Sequence, residues 1–517
     1  MAPGGPSRND NGVSTPRATV VGSGPNGLAA AVVLARAGVQ VRVIEAAPEL
    51  GGGARTQELT LPGFLHDHCS AIHPLAAASP LLRALPLAEH GLAWVASPAA
   101  LAHPFDDGTA ALLLRSPAET GATLGLDARA WARHVGSLAA RARALVDDVL
   151  SAPARLPRHP LLLARFGVAA VRPAAGLARA WFRGPRARAL FAGIAAHAAR
   201  PLEAPGTAAF GLVLAVAAHG DGWPFPRGGA AAIPRALAAV LRAAGGAVET
   251  GRAVASLREL GAGGAVLLDL VPRGVLRVAG QNLPAGYARR LARWRHGPGA
   301  LKVDWALAGP IPWRARDCAF AATVHLGGAA EEIAEAEAQA ARGLVPRRPF
   351  VILAQHTLFD PTRAPAGRHT AWAYAHVPSG WAGDALAAAD AIEAQVERFA
   401  PGFRALVLRR AVRPPLQLEG DNPNLVGGDV GGGENSLTQL ASRPTLGFDP
   451  WSTPVPGLFL CSAATPPGGG VHGMCGGHAA SAALRWLDRG RHRANRSAPL
   501  ARSLDSLAGG KTDPAVT

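Results

Sequence analysis

Residues 18–56 read ATVVGSGPNGLAAAVVLARAGVQVRVIEAAPELGGGART and decide the fold. A short β-branched run leads directly into Gly22, Gly24 and Gly27, which are spaced as GxGxxG, and a helix of small residues is predicted to follow. A second β-branched run then ends at Glu45, eighteen residues after Gly27. A strand, a glycine turn, a helix, a second strand and a terminal acid in this order are typical of a dinucleotide-binding βαβ unit.

Each residue of the glycine turn has a physical reason for its place. Gly22 permits a tight turn out of the strand, Gly24 lets a pyrophosphate approach the backbone, and Gly27 lets the helix pack closely on the sheet. Pro25 and Asn26 lie within this turn, and the helix that is predicted to follow, Leu28 to Ala37, offers free N–H groups and a partial positive charge to a phosphate at its N-terminus. The turn therefore predicts a phosphate site that is built from backbone.

Glu45 is expected to recognise the sugar next to that phosphate. Its carboxylate is placed to accept hydrogen bonds from an adenosine ribose, and an acid there disfavours a 2′-phosphate. The alternative is a glycine-rich turn in an ordinary βαβ unit, which needs no terminal acid in this register. Because strand, helix, second strand and acid all agree, we expect a nucleotide site.

The next segment, 48–56, reads PELGGGART. A glycine doublet shortly after the ribose acid resembles the second fingerprint of the FAD-binding amine oxidase and phytoene desaturase superfamily, which usually reads GGRxxS or GGRxxT. In this chain Gly53 stands where the family's arginine is usual, whereas Arg55 and Thr56 remain. The resemblance implies an FAD site that includes Gly52, Gly53, Arg55 and Thr56, with Arg55 as the candidate to neutralise the flavin phosphates.

Two later segments resemble further parts of the same FAD site. Residues 246–254 resemble the strand–turn–strand segment whose backbone pairs with the adenine, which implies that Val254 is the contact. Residues 457–487 resemble the family's last FAD motif, where a helix N-terminus, here expected near residue 478, faces the O2 end of the isoalloxazine; Gly470 and Val471 fall in its turn. That turn also matches GxGxxG, but no second strand with a terminal acid follows, so we do not expect a second nucleotide site.

The resemblance covers nearly the whole chain and implies an α/β fold with two domains. One is a discontinuous Rossmann-type FAD-binding domain of the glutathione reductase-like kind, and the other is an α+β substrate domain with a helical lid. The expected FAD-binding domain comprises 17–75, 225–285 and 445–495, and the expected substrate domain comprises 76–224 and 286–444. The segments 1–16 and 496–517 are expected to be disordered tails, the first without the apolar region of a signal peptide. A glycine-rich loop at 421–434 resembles one that walls the substrate cavity in phytoene desaturase-like proteins.

Lys302 is the candidate catalytic residue. It lies in GALKVDWAL, residues 299–307, whose alternation predicts a half-buried strand. Lys302 matches the position of a lysine that, in flavin amine oxidases, holds a water at flavin N5. A positive charge there would favour the reduced flavin and its reaction with oxygen. The alternative is a lysine on the solvent face of the strand, and the sequence favours neither.

Composition bounds the remaining classes of function. The chain has 517 residues, 49% of them hydrophobic and 17% charged, which is typical of a globular protein of several domains. The formal charge of +16 comes almost entirely from arginine and looks like coding bias, and no basic stripe interleaved with aromatics indicates a nucleic-acid partner. The four cysteines form no CxxC pair, so neither a redox dithiol nor a cysteine zinc site is indicated, and we expect a cytoplasmic protein.

A histidine-rich segment follows the second fingerprint. His66, Asp67, His68 and His73 could be read as a metal cluster, but their spacing fits no standard site. A loop beside the flavin is the preferred interpretation, and we expect no metal.

The segment 156–200 allows two interpretations. It contains amphipathic pieces with Phe166, Trp181, Phe182 and Phe191 among many arginines. One interpretation is a helical lid that also contacts a membrane surface through its apolar face and basic flanks, which would make the protein peripheral at the membrane. The other, which we favour because amphipathicity is normal for surface helices, is that the aromatic residues form the core of the substrate domain.

The resemblance implies a phytoene desaturase-like FAD-dependent oxidoreductase. A hydride would pass from an apolar substrate, such as an isoprenoid or carotenoid, to flavin N5, with oxygen or a quinone as the electron acceptor. A flavin amine oxidase that uses oxygen is the first alternative, and it would favour the N5 role of Lys302. A lipid carrier of the same fold, without flavin or catalysis, is the second alternative.

Overall fold

The computed structural model describes residues 16–507 apart from 154 and 262, with side chains described as far as residue 490. All but the last residue of the predicted tail 1–16 lies outside the described residues, as does 508–517. Two β-sheets organise the described chain. The strands are β1 (Arg17–Val21), β2 (Gln40–Ile44), β3 (Thr56–Glu58), β4 (Leu65–Asp67), β5 (Trp94–Val95), β6 (Ala99–Pro104), β7 (Ala110–Leu114), β8 (Phe225–Pro226), β9 (Ala247–Glu249), β10 (Ala265–Leu268), β11 (Gly299–Leu307), β12 (Thr323–Leu326), β13 (Val351–Ala354), β14 (His369–Val377), β15 (Val407–Arg413) and β16 (Leu458–Leu460).

Helices pack on both sheets and also form a layer of their own between residues 117 and 220. Short 3₁₀ turns and one π turn join several of them. The α-helices are α1 (Pro25–Arg36), α2 (Pro74–Ala78), α3 (Pro80–Arg83), α4 (Pro117–Thr123), α5 (Ala128–Trp131), α6 (Ser137–Ala139), α7 (Ala142–Val149), α8 (Pro160–Ala170), α9 (Ala174–Trp181), α10 (Pro185–Ala195), α11 (Thr207–Gly220), α12 (Ala232–Ala243), α13 (Pro272–Ala279), α14 (Ala285–Ala292), α15 (Ala330–Ala341), α16 (Ala385–Phe399), α17 (Pro415–Asp421), α18 (Leu437–Ala441) and α19 (Met474–Leu507).

The smaller sheet contains five parallel strands in the order β16–β10–β1–β2–β9. These strands come from three stretches that are far apart in the sequence. At the centre, Val20 of β1 pairs with Val43 on one side and Leu267 on the other, and all three are fully buried. Burial on both faces is what a parallel sheet covered by helices requires. This is the discontinuous Rossmann-type sheet that the sequence predicted.

Helix α1 is packed between this sheet and the helices α12 and α19. Pro25 occupies its first turn, where a missing N–H costs nothing, and its small side chains let neighbouring backbones come close. Gly476 of α19 lies against the carbonyl oxygen of Asn26, so that a side chain at Gly476 would clash with the α1 backbone. The first turn of α19 is thereby held at the N-terminal turn of α1.

The larger sheet contains seven strands in the order β15–β11–β14–β13–β12–β6–β7, antiparallel except where β6 meets β12. One face is apolar: Val303 and Trp305 of β11 are fully buried in a cluster with residues of α16. The opposite face is polar, because the strand register places Lys302, Tyr374 and His325 in one row across β11, β14 and β12.

The prediction of a half-buried strand at β11 was wrong, since every residue of Gly299–Leu307 is buried. The alternation in the sequence is real, but it separates an apolar face from a polar face that the rest of the protein covers. Alternation shows that the two faces of a strand have different surroundings, but it does not show that one face is exposed to water.

The aromatic residues of the helical layer lie in its core. Phe166, Phe182 and Phe191 are buried, and Phe182 stacks on Trp131 with ring centroids 5.7 Å apart. Trp181 is partly buried and packs against the same cluster. The preferred interpretation of these aromatics as core is therefore confirmed.

The last helix differs from the prediction at both ends. It begins at Met474, four residues before the expected start, because the turn ahead of it closes at Gly473, whose φ is +69°. It runs to Leu507 and so continues into 496–517, the segment for which a disordered tail was predicted.

Within the described residues, no single helix is long and apolar enough to cross a membrane. Helices α8 and α9 meet that length and composition only when they are taken together, and they are bent by 103° at the break between them.

The contact between α1 and α19 yields a first prediction. Gly476→Ala should lower the free energy of unfolding by about 1–3 kcal/mol, because a methyl group there is forced into the Asn26 carbonyl. Urea denaturation measures this change. Gly490→Ala is the matched control on the same helix, since no atom lies within 4 Å of its added methyl group. Equal losses in the two variants would contradict the proposed contact.

Candidate cofactor and substrate site

The loop after β1 leaves the sheet in a tight turn and opens α1. Gly22 has φ +102°, and its N–H donates to the carbonyl oxygen of Ile44, 2.8 Å away, which ties the turn to β2. Gly24 is the N-cap of α1 and supplies no side-chain cap. A helix N-terminus without a capping side chain offers its N–H groups and positive dipole end to an anion.

The glycines of this loop are required by close contacts. A Cβ on Gly27 would clash with the carbonyl oxygen of Gly22, so only glycine lets α1 approach the strand. A Cβ on Gly24 would stand 2.6 Å from Oδ2 of Asp269. Gly24 is therefore excluded from carrying a side chain by a protein carboxylate as well as by any phosphate above the loop.

Asp269 is a site residue that the sequence analysis missed. It follows the last residue of β10, next to β1, and its Oδ2 accepts the N–H of Gly27 at 3.0 Å. Burial raises the pKa of this carboxyl to about 7; the N–H groups of Gly27 and Gly24 act in the opposite direction, and Glu45 adds to the rise. The signal was available, because the carboxyl ends of neighbouring parallel strands meet at one edge of a sheet.

Glu45 lies where the sequence predicted, directly after β2. Its Oε2 accepts the N–H of Ser23 at 2.8 Å and the hydroxyl of Ser23 at 2.7 Å, and its Oε1 accepts the N–H of Ala47 at 2.8 Å. The carboxylate is thus fixed beside the glycine turn, at the position from which an acid can accept ribose hydroxyls.

The second glycine segment reaches the first one. A Cβ on Gly52 would stand 3.3 Å from the Cα of Gly24, so the two backbones are almost in contact. Gly52 has φ +56°, and the carbonyl oxygen of Gly53 accepts the N–H of Ser70 at 3.1 Å. The structure therefore brings Gly52 to the phosphate turn, while Gly53 holds the following loop.

Arg55 and Thr56 are engaged by the protein itself. Arg55 Nε donates to the carbonyl oxygen of Gly52 at 2.9 Å, and its Nη2 donates to the carbonyl oxygen of Asp421 at 3.0 Å. Thr56 donates to Asp67 at 2.8 Å and accepts the N–H of Ala231 at 3.1 Å. Arg55 places its charge inside the second glycine segment, and Thr56 joins that segment to the start of α12.

The histidine-rich segment is likewise held by protein partners. Asp67 pairs with Arg363 at 2.5 Å, and the imidazole of His68 lies 2.9 Å from Nη1 of Arg413. Burial lowers the pKa of His68 to about 2, with Arg413 and Arg55 adding to the fall.

The glycine-rich loop 421–434 lies in part at the nucleotide turn. Asn424 Nδ2 donates to the carbonyl oxygen of Asp269 at 2.9 Å, and its Oδ1 accepts the N–H of Val271 at 3.0 Å. Asn422 lies 3.8 Å from the position of a Cβ on Gly52. This first half of the loop braces the strand end that carries Asp269, a contact that the expected role as a cavity wall did not include.

Val254 lies at the other end of the nucleotide site. It is buried in a cluster with Val21, Ile44 and Leu268, which are the last residues of three parallel strands. The preceding turn is fixed by the N–H of Arg252, which donates to the carbonyl oxygen of Glu45 at 2.9 Å. Val254 therefore lies at the end of the sheet where Glu45 follows β2.

The C-terminal motif meets the same helix from the opposite side. Gly470 has φ +108°, and Val471 is partly buried against the core of the Rossmann-type sheet. Its turn is fixed by Ser79, whose hydroxyl donates to the carbonyl oxygen of His472 at 2.7 Å. The contact of Gly476 with Asn26 then aligns this turn with the N-terminus of α1.

A buried cation lies beneath this turn. Arg443 is 1% exposed and stands beside Gly468, with its guanidinium 5.4 Å from the ring centroid of Trp294. Its Nη2 makes a 3.4 Å contact with the carbonyl oxygen of Gly433, while Nε and Nη1 have no hydrogen-bond partner among the described residues. Sequence analysis gave no reason to single out this arginine among many. It places a positive charge next to the turn that carries Gly470.

Lys302 is buried on the polar face of the larger sheet, which excludes the interpretation of a solvent-facing lysine. Its ammonium donates to both carboxylate oxygens of Asp304 and lies 5.5 Å from the ring centroid of Trp372. Burial lowers the pKa of Lys302, and the charge of Asp304 opposes this shift. His66 adds a third group, with Nδ1 3.5 Å from Oδ1 of Asp304.

An aromatic pair continues this face. Trp372 and Tyr374 stack with ring centroids 5.7 Å apart, and His376 on the same strand lies 2.9 Å from Glu337 of α15. Burial raises the pKa of Tyr374, so this phenol stays protonated. A dry wall of this kind can orient a substrate by stacking and can hold one fixed positive charge near it.

These residues fit a flavin dinucleotide. The uncapped α1 N-terminus, the contact between two glycine segments and the fixed carboxylate of Glu45 are what a pyrophosphate and a ribose need. The C-terminal turn meets the same helix through the contact of Gly476 with Asn26, and Arg443 lies beside that turn.

Comparisons with known proteins agree with this geometry. Residues 20–85 match the family model of the NAD(P)-binding Rossmann-like domain. The pyridine nucleotide-disulfide oxidoreductase domain-containing protein 2 of Rattus norvegicus is 27% identical, over 91% of this chain and 93% of that protein. The chain thus carries a Rossmann-type nucleotide-binding domain, and its relatives support an oxidoreductase.

Solved structures show the fold. Wild-type putrescine oxidase bound to putrescine is similar with a TM-score of 0.57 at 17% identity, over 92% of this chain and 99% of that one. Cyclohexylamine oxidase from Brevibacterium oxydans IH-35A has a TM-score of 0.55 at 15% identity, over 92% and 100%. The predicted fold class, a mixed α/β protein with a discontinuous Rossmann-type domain, is confirmed.

Asp269 yields the prediction of this site. Because its pKa is about 7 in the folded protein and 3.8 in the unfolded chain, the protonated form is favoured by folding. The contribution of Asp269 to the free energy of unfolding should therefore be greatest below about pH 4, and this contribution, on the order of 4 kcal/mol, should be lost progressively as the pH rises to about 7.

Urea denaturation of the ligand-free protein at pH 5 and pH 8 measures this effect. Relative to the wild type, Asp269→Asn should gain stability between pH 5 and pH 8, and it should be the more stable of the two at pH 8. Asp488→Asn, at an exposed position of α19, should keep the wild-type dependence. If the free energy of unfolding changes between the two pH values by the same amount in Asp269→Asn as in the wild type, another group causes that change.

Proposed function

We propose that this chain is an FAD-dependent oxidoreductase. The observation that carries the proposal is the convergence of three distant segments on the N-terminal turn of α1: the Gly22–Gly27 turn, the segment at Gly52 and the turn before α19. A single βαβ unit would serve any dinucleotide. The third segment, which extends the site away from the ribose acid, is what favours a cofactor with a second, larger ring system.

Different residues would hold different parts of FAD. The α1 N-terminus and Gly52 would receive the pyrophosphate, Glu45 the ribose, and Val254 the adenine. Gly470 and Val471 would lie at the pyrimidine end of the isoalloxazine, where the dipole of α19 and the charge of Arg443 favour extra electron density. FAD, when bound there, supplies a two-electron acceptor for a hydride.

The chain's own residues would provide orientation, dryness and charge. The stacked pair of buried Trp372 and half-buried Tyr374 would orient the substrate beside the polar face. The carboxylate of Asp304 opposes the fall in the pKa of Lys302 that burial causes, and Lys302 would place its amino group beside the reacting region.

The preferred reaction is a desaturation of the phytoene dehydrogenase-like kind. A hydride and a proton leave adjacent carbons of an apolar substrate, a C=C bond forms, and oxygen or a quinone receives the electrons. An isoprenoid or carotenoid-like substrate is supported by the sequence resemblance and by the largely apolar helical layer that borders the polar face.

Amine oxidation with oxygen is the second candidate, and two observations favour it. Lys302, which matches the position of the N5 lysine of flavin amine oxidases, is buried and lies 5.5 Å from the ring centroid of Trp372. Putrescine oxidase and cyclohexylamine oxidase also share the fold. Hydrogen peroxide formed with amines, and no product with polyenes, would select this candidate; the opposite pattern would select the desaturase.

Cofactor retention gives the direct test of the proposal. The purified wild type should show flavin absorbance or acquire it on incubation with FAD. Gly24→Val should bind no FAD, because its side chain meets Asp269 on one side and the pyrophosphate position on the other. Gly167→Ala, where no atom lies within 4 Å of the added methyl group, is the control and should retain FAD. A wild type that stays colourless would contradict the proposal and favour the lipid-carrier alternative.

Lys302 can be tested apart from its structural partner. Lys302→Met should lower the melting temperature, because it leaves Asp304 buried without its cation. The double variant Lys302→Met/Asp304→Asn should recover much of that stability. Both variants should keep FAD, and both should be reoxidised by oxygen at least about tenfold more slowly than the wild type in stopped-flow measurements. Wild-type reoxidation in the double variant would remove Lys302 from the chemistry.

A further inference from the structure

Helix α8 has one buried side and one exposed apolar side. Leu162 and Phe166 are buried against the core of the helical layer. Leu161 and Val168, on the opposite side, are 86% and 76% exposed. The aromatic residues that first suggested a membrane contact are therefore core residues, and the exposed apolar groups are aliphatic residues that the sequence analysis did not single out.

The exposed side extends beyond the helix in both directions. Leu156, ahead of α8, is 89% exposed, and Val171, directly after it, is 54% exposed. Isolated apolar side chains on a surface need no explanation, but four within sixteen residues form a patch that water disfavours. We call these four side chains, together with the exposed arginines Arg155, Arg158, Arg165 and Arg172, the α8 surface.

The charge around this patch has one sign. Residues 149–202 contain no Asp and no Glu but nine arginines: Arg155, Arg158, Arg165, Arg172, Arg179, Arg183, Arg186, Arg188 and Arg200. The last acid before this stretch, Asp148, is buried and accepts the N–H groups of Arg158 and His159 at 3.0 and 2.9 Å, so it caps the start of α8.

Basic and apolar groups share the same exposed stripe. Leu161, Arg165 and Val168 are spaced i, i+4 and i+7, which places them on one side of α8. Because α8 is buried along its other side and turns by 103° into α9, it lies on the protein surface and does not continue into a span. Helices with this pattern rest in the plane of a lipid interface.

We propose that the α8 surface docks this chain on an anionic lipid bilayer. The aliphatic side chains would enter the boundary between headgroups and acyl chains, while the arginines bind lipid phosphates. A nucleic acid would satisfy the arginines but leaves the aliphatic side chains exposed. An apolar protein partner would bury the aliphatic side chains but requires the arginines to lose water without an anion. The inference does not depend on the proposed reaction.

Sedimentation of the full chain with vesicles tests the proposal. The wild type should bind vesicles that contain phosphatidylglycerol, bind phosphatidylcholine vesicles weakly, and be released by salt. Leu161→Gln/Val168→Gln should lower the partition coefficient about tenfold. Arg158→Gln/Arg172→Gln should weaken binding to the anionic vesicles and reduce its salt dependence, with little effect on phosphatidylcholine vesicles.

Leu386→Gln is the matched control. Leu386 is 59% exposed on α16, which packs on the apolar face of the larger sheet, and its substitution should leave vesicle binding unchanged. Thermal denaturation shows that each variant is folded. No binding of the wild type to anionic vesicles, or equal binding of the wild type and Leu161→Gln/Val168→Gln, would overturn the proposal. Self-association in solution that is lost in that double variant, without lipid binding, would instead assign the surface to a contact between copies of the chain.

Discussion

The contact between the first turns of α1 and α19 is the constraint on which the rest of the site depends. Gly476 fits against the carbonyl oxygen of Asn26 because it has no side chain, and Gly52 approaches Gly24 for the same reason. Backbone-to-backbone contacts of this kind fix geometry more firmly than side-chain packing, since neither partner has rotamers to adjust. They hold three segments at one helix N-terminus, the third of them more than 400 residues beyond the other two. That terminus keeps N–H groups and a positive dipole end for an anion.

The candidate site also contains several buried charged side chains. Asp269 is buried beneath the glycine turn, where it accepts the N–H of Gly27, and its raised pKa shows that these backbone donors do not fully replace water. Lys302 and Asp304 neutralise each other on the polar face of the larger sheet, whereas Arg443 has no hydrogen-bonded carboxylate among the described residues. Buried charges that the protein only partly compensates are typical of sites where a ligand supplies the remaining interaction.

The two faces of the larger sheet differ: one forms an apolar core, and the other carries the polar side chains of the candidate site. The face toward α16 is apolar and gives β11 a fully buried core with Trp305 and Phe403. The other face presents Lys302, Tyr374 and His325 in one row that also contains Ile352, and of these four residues Tyr374 alone is partly exposed. A purely apolar substrate would leave these polar groups to pair among themselves, as Lys302 with Asp304 and His376 with Glu337 already do. A substrate with a polar group would find partners there.

The sequence by itself determined the first βαβ unit, its glycine turn and Glu45, because these features are local: a strand, a turn that only glycine allows and an acid at the next strand end all lie within forty residues. It also placed Lys302 on a strand and predicted that distant segments share one domain. Only the tertiary structure decided that β11 is buried on both faces, that Asp269 and Asn424 brace the phosphate turn, and that Arg443 lies beneath the last motif. Each of these features depends on which residues from remote parts of the chain cover a given side chain. Periodicity along the sequence shows that the two faces of a strand differ, but it does not show which residues cover each face.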